Sequence, residues 1–394
     1  MSFAHLFMVL RIIMNVKSIY LYTLRIAIAF FFIAVPFNPY VGGMTLYLWF
    51  FLIFLDGEYL KRLTKINIRY FLILLLWVMV CFLSGDVVLA CKILILYFGV
   101  SYLVILDVGI LDKIKVMFLI SCFWCIAQFV MFYIDPGVSY LMGPKEISAT
   151  IWGQYATPSF TNQYVLILLP RMSGLSREAG FFASLLAIMF LIRLRDKNMK
   201  LWELIIYVCS YMFSLSKVSF SLLLAFVIYP FKNFINKIPA IATLLAVSLL
   251  SIAIAQYLNV GSPQFFGVNE SVAHRLSSSY MVVNMYPWNL IFGCDDKYQC
   301  FYPGTTSLVD YLLGKNGFQP NTGINGVFIN LGVLGFMSLI LTTIIFKLQS
   351  FDILIMALVC STVTQFTIDG FVILTYYYML TNGRYSFPSF KRLK

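Results

Sequence analysis

The sequence predicts an all-α, polytopic integral membrane protein with about 12 transmembrane helices. Three observations carry that expectation. Of 394 residues, 61% are hydrophobic and 11% charged, less than half the roughly 25% charge of soluble domains. The apolar residues gather in runs close to the roughly 20 residues that cross a bilayer as a helix. Lys and Arg fall between those runs with a bias to one side. A β-barrel would show alternating segments of about 10 residues instead, and this sequence lacks them.

Apolar runs lie near 19–37, 41–55, 69–84, 87–106, 116–134, 178–193, 202–216, 217–231, 238–257, 323–346, 352–368 and 370–383. Arg11 and Lys17 precede the first run and no small-residue cleavage site follows it, so it reads as a span, not a cleaved signal peptide. With the N-terminus inside, 19 of the 28 Lys and Arg fall on the inner side. Seven fall outside (Lys145, Arg171, Arg177, Lys217, Arg275, Lys297 and Lys315), and Arg25 and Lys92 lie within spans. The positive-inside rule then sets both termini in the cytoplasm. The formal charge of +12 is accounted for by this topology, so membrane lipids are expected partners and nucleic acid is not.

Residues 201–231 as one helix would be about 46 Å long, too long for a core of roughly 30 Å. Two short helices turning near Ser216 and Lys217 keep both flanking basic clusters inside. The final run, Gly370–Gly383, is short for a crossing and fits a tilted or partly re-entrant segment.

Two long segments, 135–177 and 258–322, then face outward within a single transmembrane domain. Six cysteines sit in apolar spans as small hydrophobes. Cys294 and Cys300 instead lie in the second outer segment as CDDKYQC, and such spacing in an oxidising compartment predicts a disulfide. The alternative, a zinc site, needs four ligands, and only His274 lies near.

No P-loop, GxGxxG, HExxH or GxSxG motif occurs. What remains is charge at the outer boundary, first of all in Pro170–Phe182, PRMSGLSREAGFF. Ser176 can cap the helix that follows, and Glu178 in its first turn complements the helix dipole. The functional reading takes Arg171 and Arg177, beside an outward helix N-terminus, as a phosphate or pyrophosphate site. Glu178 then accepts a proton from a sugar hydroxyl or binds the sugar.

A second set is His274 and Arg275 in SVAHRLSSSYMVV, where Leu276, Tyr280 and Val283 have helical spacing with Arg275 at the helix start. Arg275 is either a headgroup contact or a second phosphate ligand, and His274 either structural or a proton-transfer group. Lys217 and Lys92 either snorkel to headgroups or act as boundary cations. Asp86, Asp135 and Asp369 also lie near the outer surface, and Asp369 either binds sugar or ends a helix. Trp288 and the loop tyrosines offer faces for sugar stacking.

With the topology in hand, four stretches resemble bacterial O-antigen polymerases (the Wzy family), which are related to the O-antigen ligases. They are RMSGLSREAGFFASLL, SLSKVSFSLLL, AHRLSSSYMVVNMYPWNLIFGC and PNTGINGVFINLGVLGF, spanning Arg171–Phe336. The resemblance implies a GT-C-like glycosyltransferase architecture in the bacterial inner membrane, active on the periplasmic face, metal-independent and without cofactor. The donor it implies is an oligosaccharide repeat unit on undecaprenyl pyrophosphate, and the acceptor the non-reducing-end hydroxyl of another such unit. It also implies Arg171 and Arg275 on the pyrophosphate, Glu178 as base or sugar ligand, and Lys217 as a supporting cation. Arg177, His274, Asn321 and Lys92 complete the implied substrate contacts. A chain-length regulator, a Wzz-type co-polymerase, is a possible further partner. The sequence departs from the ligases at Asn321, which stands where they carry a histidine, and an amide cannot serve as a base. A ligase of the same fold and a lipid-linked oligosaccharide flippase are the alternatives.

Overall fold

A computed structural model describes residues 3–42, 44–64, 68–106, 108–157, 165–166, 169–195, 200–214, 224, 227–294, 298–316 and 319–360. It is almost wholly helical. Helix α1 (Phe3–Ile33) gives way to a 3₁₀ turn, Val35–Phe37, since Pro36 cannot continue the α-helical bonding. A small antiparallel hairpin follows, β1 (Tyr40–Val41) and β2 (Met44–Thr45), with Tyr40 opposite Thr45. Then come α2 (Leu48–Leu52), α3 (Gly57–Leu63), α4 (Ile68–Leu83), α5 (Val87–Leu106) and α6 (Val108–Ile134). Helices α7 (Pro136–Leu141) and α8 (Pro144–Trp152) each begin on a proline, whose missing N–H has no helical partner at that position anyway. Strands β3 (Val165–Leu166) and β4 (Leu169–Pro170) pair antiparallel. The chain continues through α9 (Ala179–Arg195), α10 (Leu201–Phe213), α11 (Lys232–Ile235), α12 (Ala240–Tyr257) and α13 (Pro263–Val268). It then forms α14 (Glu270–Met281), α15 (Pro287–Phe292), α16 (Ser307–Asn316), α17 (Gly326–Ile345) and α18 (Ser350–Cys360).

Among the described residues, four helices are long and apolar enough to cross a membrane: Val87–Leu106, Asp112–Ile134, Ala240–Tyr257 and Gly326–Ile345. A fifth is added if α3 and α4 act as one bent pair. Ser18–Ile33, Leu201–Phe213 and Ser350–Cys360 are shorter apolar helices. On α12, Leu249 and Leu250 stay 65% and 61% exposed, an apolar face that water would penalise and lipid would not. The run 370–383, most of 217–231 and the second half of 352–368 lie outside the described residues.

The run 41–55 was expected to be a crossing and is not a continuous helix. It is the β1–β2 hairpin, the five-residue α2 and a 3₁₀ turn at Ile53–Leu55. Asn38 fixes that path. Its side-chain oxygen accepts from the Leu48 N–H at 2.9 Å, and its amide nitrogen donates to the Phe31 carbonyl at 3.3 Å and the Val35 carbonyl at 3.2 Å. Asp56 then stops the apolar segment and caps α3, accepting from the backbone of Glu58 at 3.0 Å and Tyr59 at 3.3 Å. Hydropathy alone cannot separate such a broken segment from a span, because both are apolar.

The chain divides into two compact units. The first comprises Met1–Lys65, Phe98–Ala183 and Asn198–Leu215. In it α1 and α10 both pack on α6, with Phe118 against Phe182 and Tyr207, and Phe129 stacked on Phe213 at 3.7 Å. An ionic network also lies here. Arg25 Nε meets the fully buried Asp56 at 2.8 Å, its Nη2 meets Glu58 at 2.6 Å, and Glu58 also pairs with Arg62. Tyr102 donates its hydroxyl to Asp56 at 3.2 Å. Arg25 was read as an intramembrane cation; its carboxylate partners come from residues 31 and 33 positions later in the chain.

The second unit comprises Ile66–Tyr97, Ser184–Lys197 and Ser216–Lys394. There α4 packs on α17, and α12 on α18 and α14, around Trp77, Leu244, Val327, Phe336 and Ile353. Trp77 donates its indole N–H to Thr342 at 2.9 Å. Helix α17 breaks at Gly332, with φ 62° and ψ −161°. Glycine is required twice over at that point. The φ is positive, and an added Cβ would lie 2.2 Å from the Ile291 carbonyl of α15.

Candidate functional site

The Arg171–Glu178 stretch is a tight turn built on α6. The Met172 N–H donates to the Phe213 carbonyl at 2.7 Å. Gly174 donates its N–H to Gln128 Oε1 at 3.0 Å, and Leu175 donates to Ser121 Oγ at 2.9 Å. Gly174 has φ 56°, and a Cβ there would come within 2.8 Å of the Ser121 carbonyl, so the turn seats its backbone directly on α6. Arg171, Ser173 and Ser176 are buried. Arg171 was expected at an open boundary; it is instead buried. Ser176 was expected to cap the next helix. Its hydroxyl, however, has no hydrogen-bond partner among the described residues. The first helical bond of α9 runs from the Phe182 N–H to the Glu178 carbonyl at 2.9 Å, which makes Glu178 the cap residue. Its carboxylate therefore sits at the positive end of the helix dipole. The Arg177 guanidinium lies 5.5 Å from the Phe181 ring centroid, a cation–π geometry.

The His274–Arg275 set belongs to the second unit. Helix α14 begins at Glu270, so Arg275 lies mid-helix and not at its start. Of the expected stripe, Leu276 and Tyr280 pack half-buried against the core around Ala255, Val260 and Phe266, whereas Val283 lies beyond the end of the helix. Ala273, Ser277, Ser278 and Met281 face inward and Val283 is 54% exposed. Small side chains let the helix approach closely: Ser278 donates its hydroxyl to the Thr322 carbonyl. Arg275 Nη1 reaches back to Ser271, to its carbonyl at 2.5 Å and to its hydroxyl. His274 Nε2 lies 3.2 Å from Thr322 Oγ1, and the ring also donates to the Gln319 backbone carbonyl. The imidazole thus holds both ends of Gln319–Thr322, with Asn321 between them.

Asn321 is 6% exposed. Its amide nitrogen faces Gln319 Oε1 at 3.0 Å and, at 3.4 Å each, the Tyr298 hydroxyl and Asn330 Oδ1. Four residues on, the buried Asn325 donates to the Ser248 carbonyl at 3.1 Å, Ser251 Oγ at 2.9 Å and Ser279 Oγ at 3.0 Å, tying α17 to α12 and α14. Cys294 and Cys300 form a disulfide, Cα atoms 5.4 Å apart, and the Cys294 N–H donates to the Ile329 carbonyl at 2.7 Å.

Burial and the neighbouring Arg275 charge push the His274 pKa down from 6.5 to about 4, so the ring is neutral at pH 7. Its free energy therefore has a definite sign with pH. The folded-state value is depressed, so the contribution is complete above about pH 6.5 and is lost as pH falls toward about 4, because only the unfolded chain takes up the proton there. At about 1.4 kcal/mol per unit, the loss is at most about 3 kcal/mol. Thermal unfolding at pH 7 and pH 4.5 should show His274→Gln losing less stability than wild type. Equal losses would contradict the neutral, buried ring.

The remaining candidates divide. Lys92 is half-buried on α5, and Lys217 and Asp369 lie outside the described residues. Asp135 caps α7 through Gly137 at 2.9 Å, and Asp86 accepts from the Leu89 N–H at 2.8 Å, so both have local structural work. Trp288 is 69% exposed, its ring 4.4 Å from that of Phe292. No group of three or more His, Cys, Asp or Glu placed to hold a metal occurs among the described residues.

No family model, curated protein or solved structure matches this chain. The functional reading therefore rests on the residues themselves.

Proposed function

We propose that this chain is a lipid-carrier-dependent glycosyltransferase that polymerises oligosaccharide repeat units, as O-antigen polymerases do. In this reading it crosses the bacterial inner membrane 12 times, with both termini cytoplasmic and its active face periplasmic. The placement of 19 of 28 Lys and Arg on one side supports that orientation.

The observation that carries the reading is the Arg171–Glu178 turn. A buried arginine opens a turn bonded to Ser121 and Gln128 of α6, and seven residues later the turn ends in a carboxylate at a helix N-terminus. Such a pair suits a reaction in which negative charge develops on a leaving group while a hydroxyl loses its proton. The acceptor hydroxyl oxygen attacks the anomeric carbon of the donor sugar. The bond from that carbon to the pyrophosphate oxygen breaks, and undecaprenyl pyrophosphate leaves with the bonding electrons. Arg171 is assigned to the pyrophosphate charge and Glu178 to the hydroxyl proton. No ATP is required, because the sugar–pyrophosphate bond carries the driving force.

Deleting the gene in its host and resolving surface polysaccharide on a gel tests this reading. A single repeat unit on lipid A is the expected result. Loss of all attached polysaccharide, with lipid-linked polymer accumulating, would indicate a ligase. An unchanged ladder would remove both.

A further inference from the structure

The second unit carries a basic surface at the end where α4, α12 and α18 begin and α17 stops. Tyr70 near the start of α4 lies against Phe346 at the end of α17, with ring centroids 5.2 Å apart. The α11–α12 connector is fastened to the α17–α18 connector. Asn236 donates its side-chain N–H to Gln349 Oε1 at 2.7 Å and accepts from the Phe351 N–H at 2.9 Å. The Ser350 hydroxyl donates to the Ile238 carbonyl at 2.5 Å. These bonds gather Lys237, next to Asn236, and Lys347, two residues before Gln349. The Lys232 ammonium lies 5.8 Å from the Phe351 ring centroid, and Arg69 adjoins Tyr70. Arg69, Lys237 and Lys347 are exposed. No Asp or Glu occurs in 68–83, 227–240 or 341–351. Asp352 is buried and accepts from the Gln349 N–H at 2.9 Å. The surface therefore presents positive charge without an exposed carboxylate beside it.

Lys347 sets this surface apart from the ordinary basic end of a span. The Leu348 N–H donates to the Thr343 carbonyl at 3.0 Å, and the Lys347 N–H to the Ile344 carbonyl at 3.1 Å. Those paired bonds close a helix C-terminus around a left-handed residue that is most often glycine. Lys347 takes that place with φ 49°, a conformation that glycine adopts without the Cβ clash. A strained position kept for a charged side chain points to a task for the charge. Apolar side chains stand beside it. Phe231 and Phe234 are 61% and 68% exposed, and the exposed Ile238 leads into the apolar face of α12 at Leu245 and Leu249. Exposed aromatics next to cations suit the boundary between acyl chains and headgroups.

We infer that this end of the second unit is a binding site for an anionic phospholipid. Lys237 and Lys347 hold the headgroup phosphate by charge-assisted hydrogen bonds, Lys232 and Arg69 add to the positive field, and Phe231 and Phe234 meet the acyl chains. A free anion has no chains for those rings to meet, so lipid is the occupant. The site does not depend on the polymerase reading; in the orientation proposed for the chain, it faces the cytoplasmic leaflet.

The test titrates purified full-length protein in detergent with phosphatidylglycerol or phosphatidylcholine of identical acyl chains. Native mass spectrometry reads the affinity for each. Wild type should prefer phosphatidylglycerol. Lys347→Gly should lose about 5-fold of that preference, the value of one lysine at an anionic lipid surface. Its thermal midpoint should be no lower than that of wild type, because glycine is the favoured residue in that conformation. Lys237→Gln should lose a similar factor, and it carries the same expectation if Lys347→Gly does not fold. Lys145→Gln removes an equal charge from α8 in the first unit and should leave the preference unchanged. Wild-type protein binding both lipids equally would overturn the inference, as would a wild-type preference in a folded Lys347→Gly or Lys237→Gln. An equal loss in Lys145→Gln would assign the binding to overall charge and overturn the site. Displacement of phosphatidylglycerol by an equal concentration of inorganic phosphate would make the occupant a free anion and overturn the lipid assignment.

Discussion

Arg171→Ala is expected to stop polymer growth while leaving the protein in the membrane. A preorganised donor aimed at developing negative charge is worth roughly 100- to 1,000-fold in rate, so the surface ladder should collapse to short chains or a single unit. Neighbouring backbone groups also tie the turn to the rest of the unit and should keep it in place. The Met172 N–H holds the Phe213 carbonyl, Gly174 holds Gln128, and Leu175 holds Ser121. Arg171→Lys keeps the charge but loses the planar two-pronged donor and should retain part of the activity. Gel ladders read beside immunoblots of membrane fractions separate loss of chemistry from loss of protein. Wild-type ladders from the alanine variant would remove the pyrophosphate role.

Asp56→Ala carries the second large expected effect, on stability. Asp56 is fully buried and meets Arg25, itself only 13% exposed in its side chain, at 2.8 Å. It also accepts from Tyr102 and caps α3. Removing it leaves a guanidinium short of its partner and two helix N–H groups uncapped. Breaking such a pair costs about 3–5 kcal/mol, a large share of the 5–15 kcal/mol of a whole domain. Thermal unfolding in detergent should show a much lower midpoint for Asp56→Ala. Arg25→Met combined with Asp56→Leu, which removes both charges, should recover part of the loss. An alanine variant as stable as wild type would mean that the network does not hold α3.

Both effects show what could and could not be read from the sequence. The run near 87–106 is the helix Val87–Leu106, and that near 238–257 the helix Ala240–Tyr257, because unbroken apolar composition of span length leaves few other options. The run 41–55 misled for the same reason. Its apolar content was plain, but the turn residues around it (Pro36, Asn38, Pro39 and Gly42) outweighed composition. Arg25 and Asp56 are 31 residues apart, and no local pattern announces their pairing.

The candidate site divides the same way. Arg171, Arg177 and Glu178 stood out as charge in an apolar chain. The side chains that hold their turn, Ser121 and Gln128, lie inside the apolar run 116–134, where isolated polar residues pass without notice. His274 was visible, but its task was not. Thr322 is 48 residues away, and only the fold shows that the ring grips both ends of the segment carrying Asn321. The serine face of α14 was hidden too, since small polar residues leave no hydropathy stripe.

The central claim is transfer of glycan between two lipid carriers by this chain alone. Purified protein reconstituted in vesicles with the lipid-linked repeat unit as sole substrate tests it most directly. Chromatography of the products should show glycans of increasing length, with one undecaprenyl pyrophosphate released for each unit added. Repeat units that remain single, with no carrier released, would contradict the account.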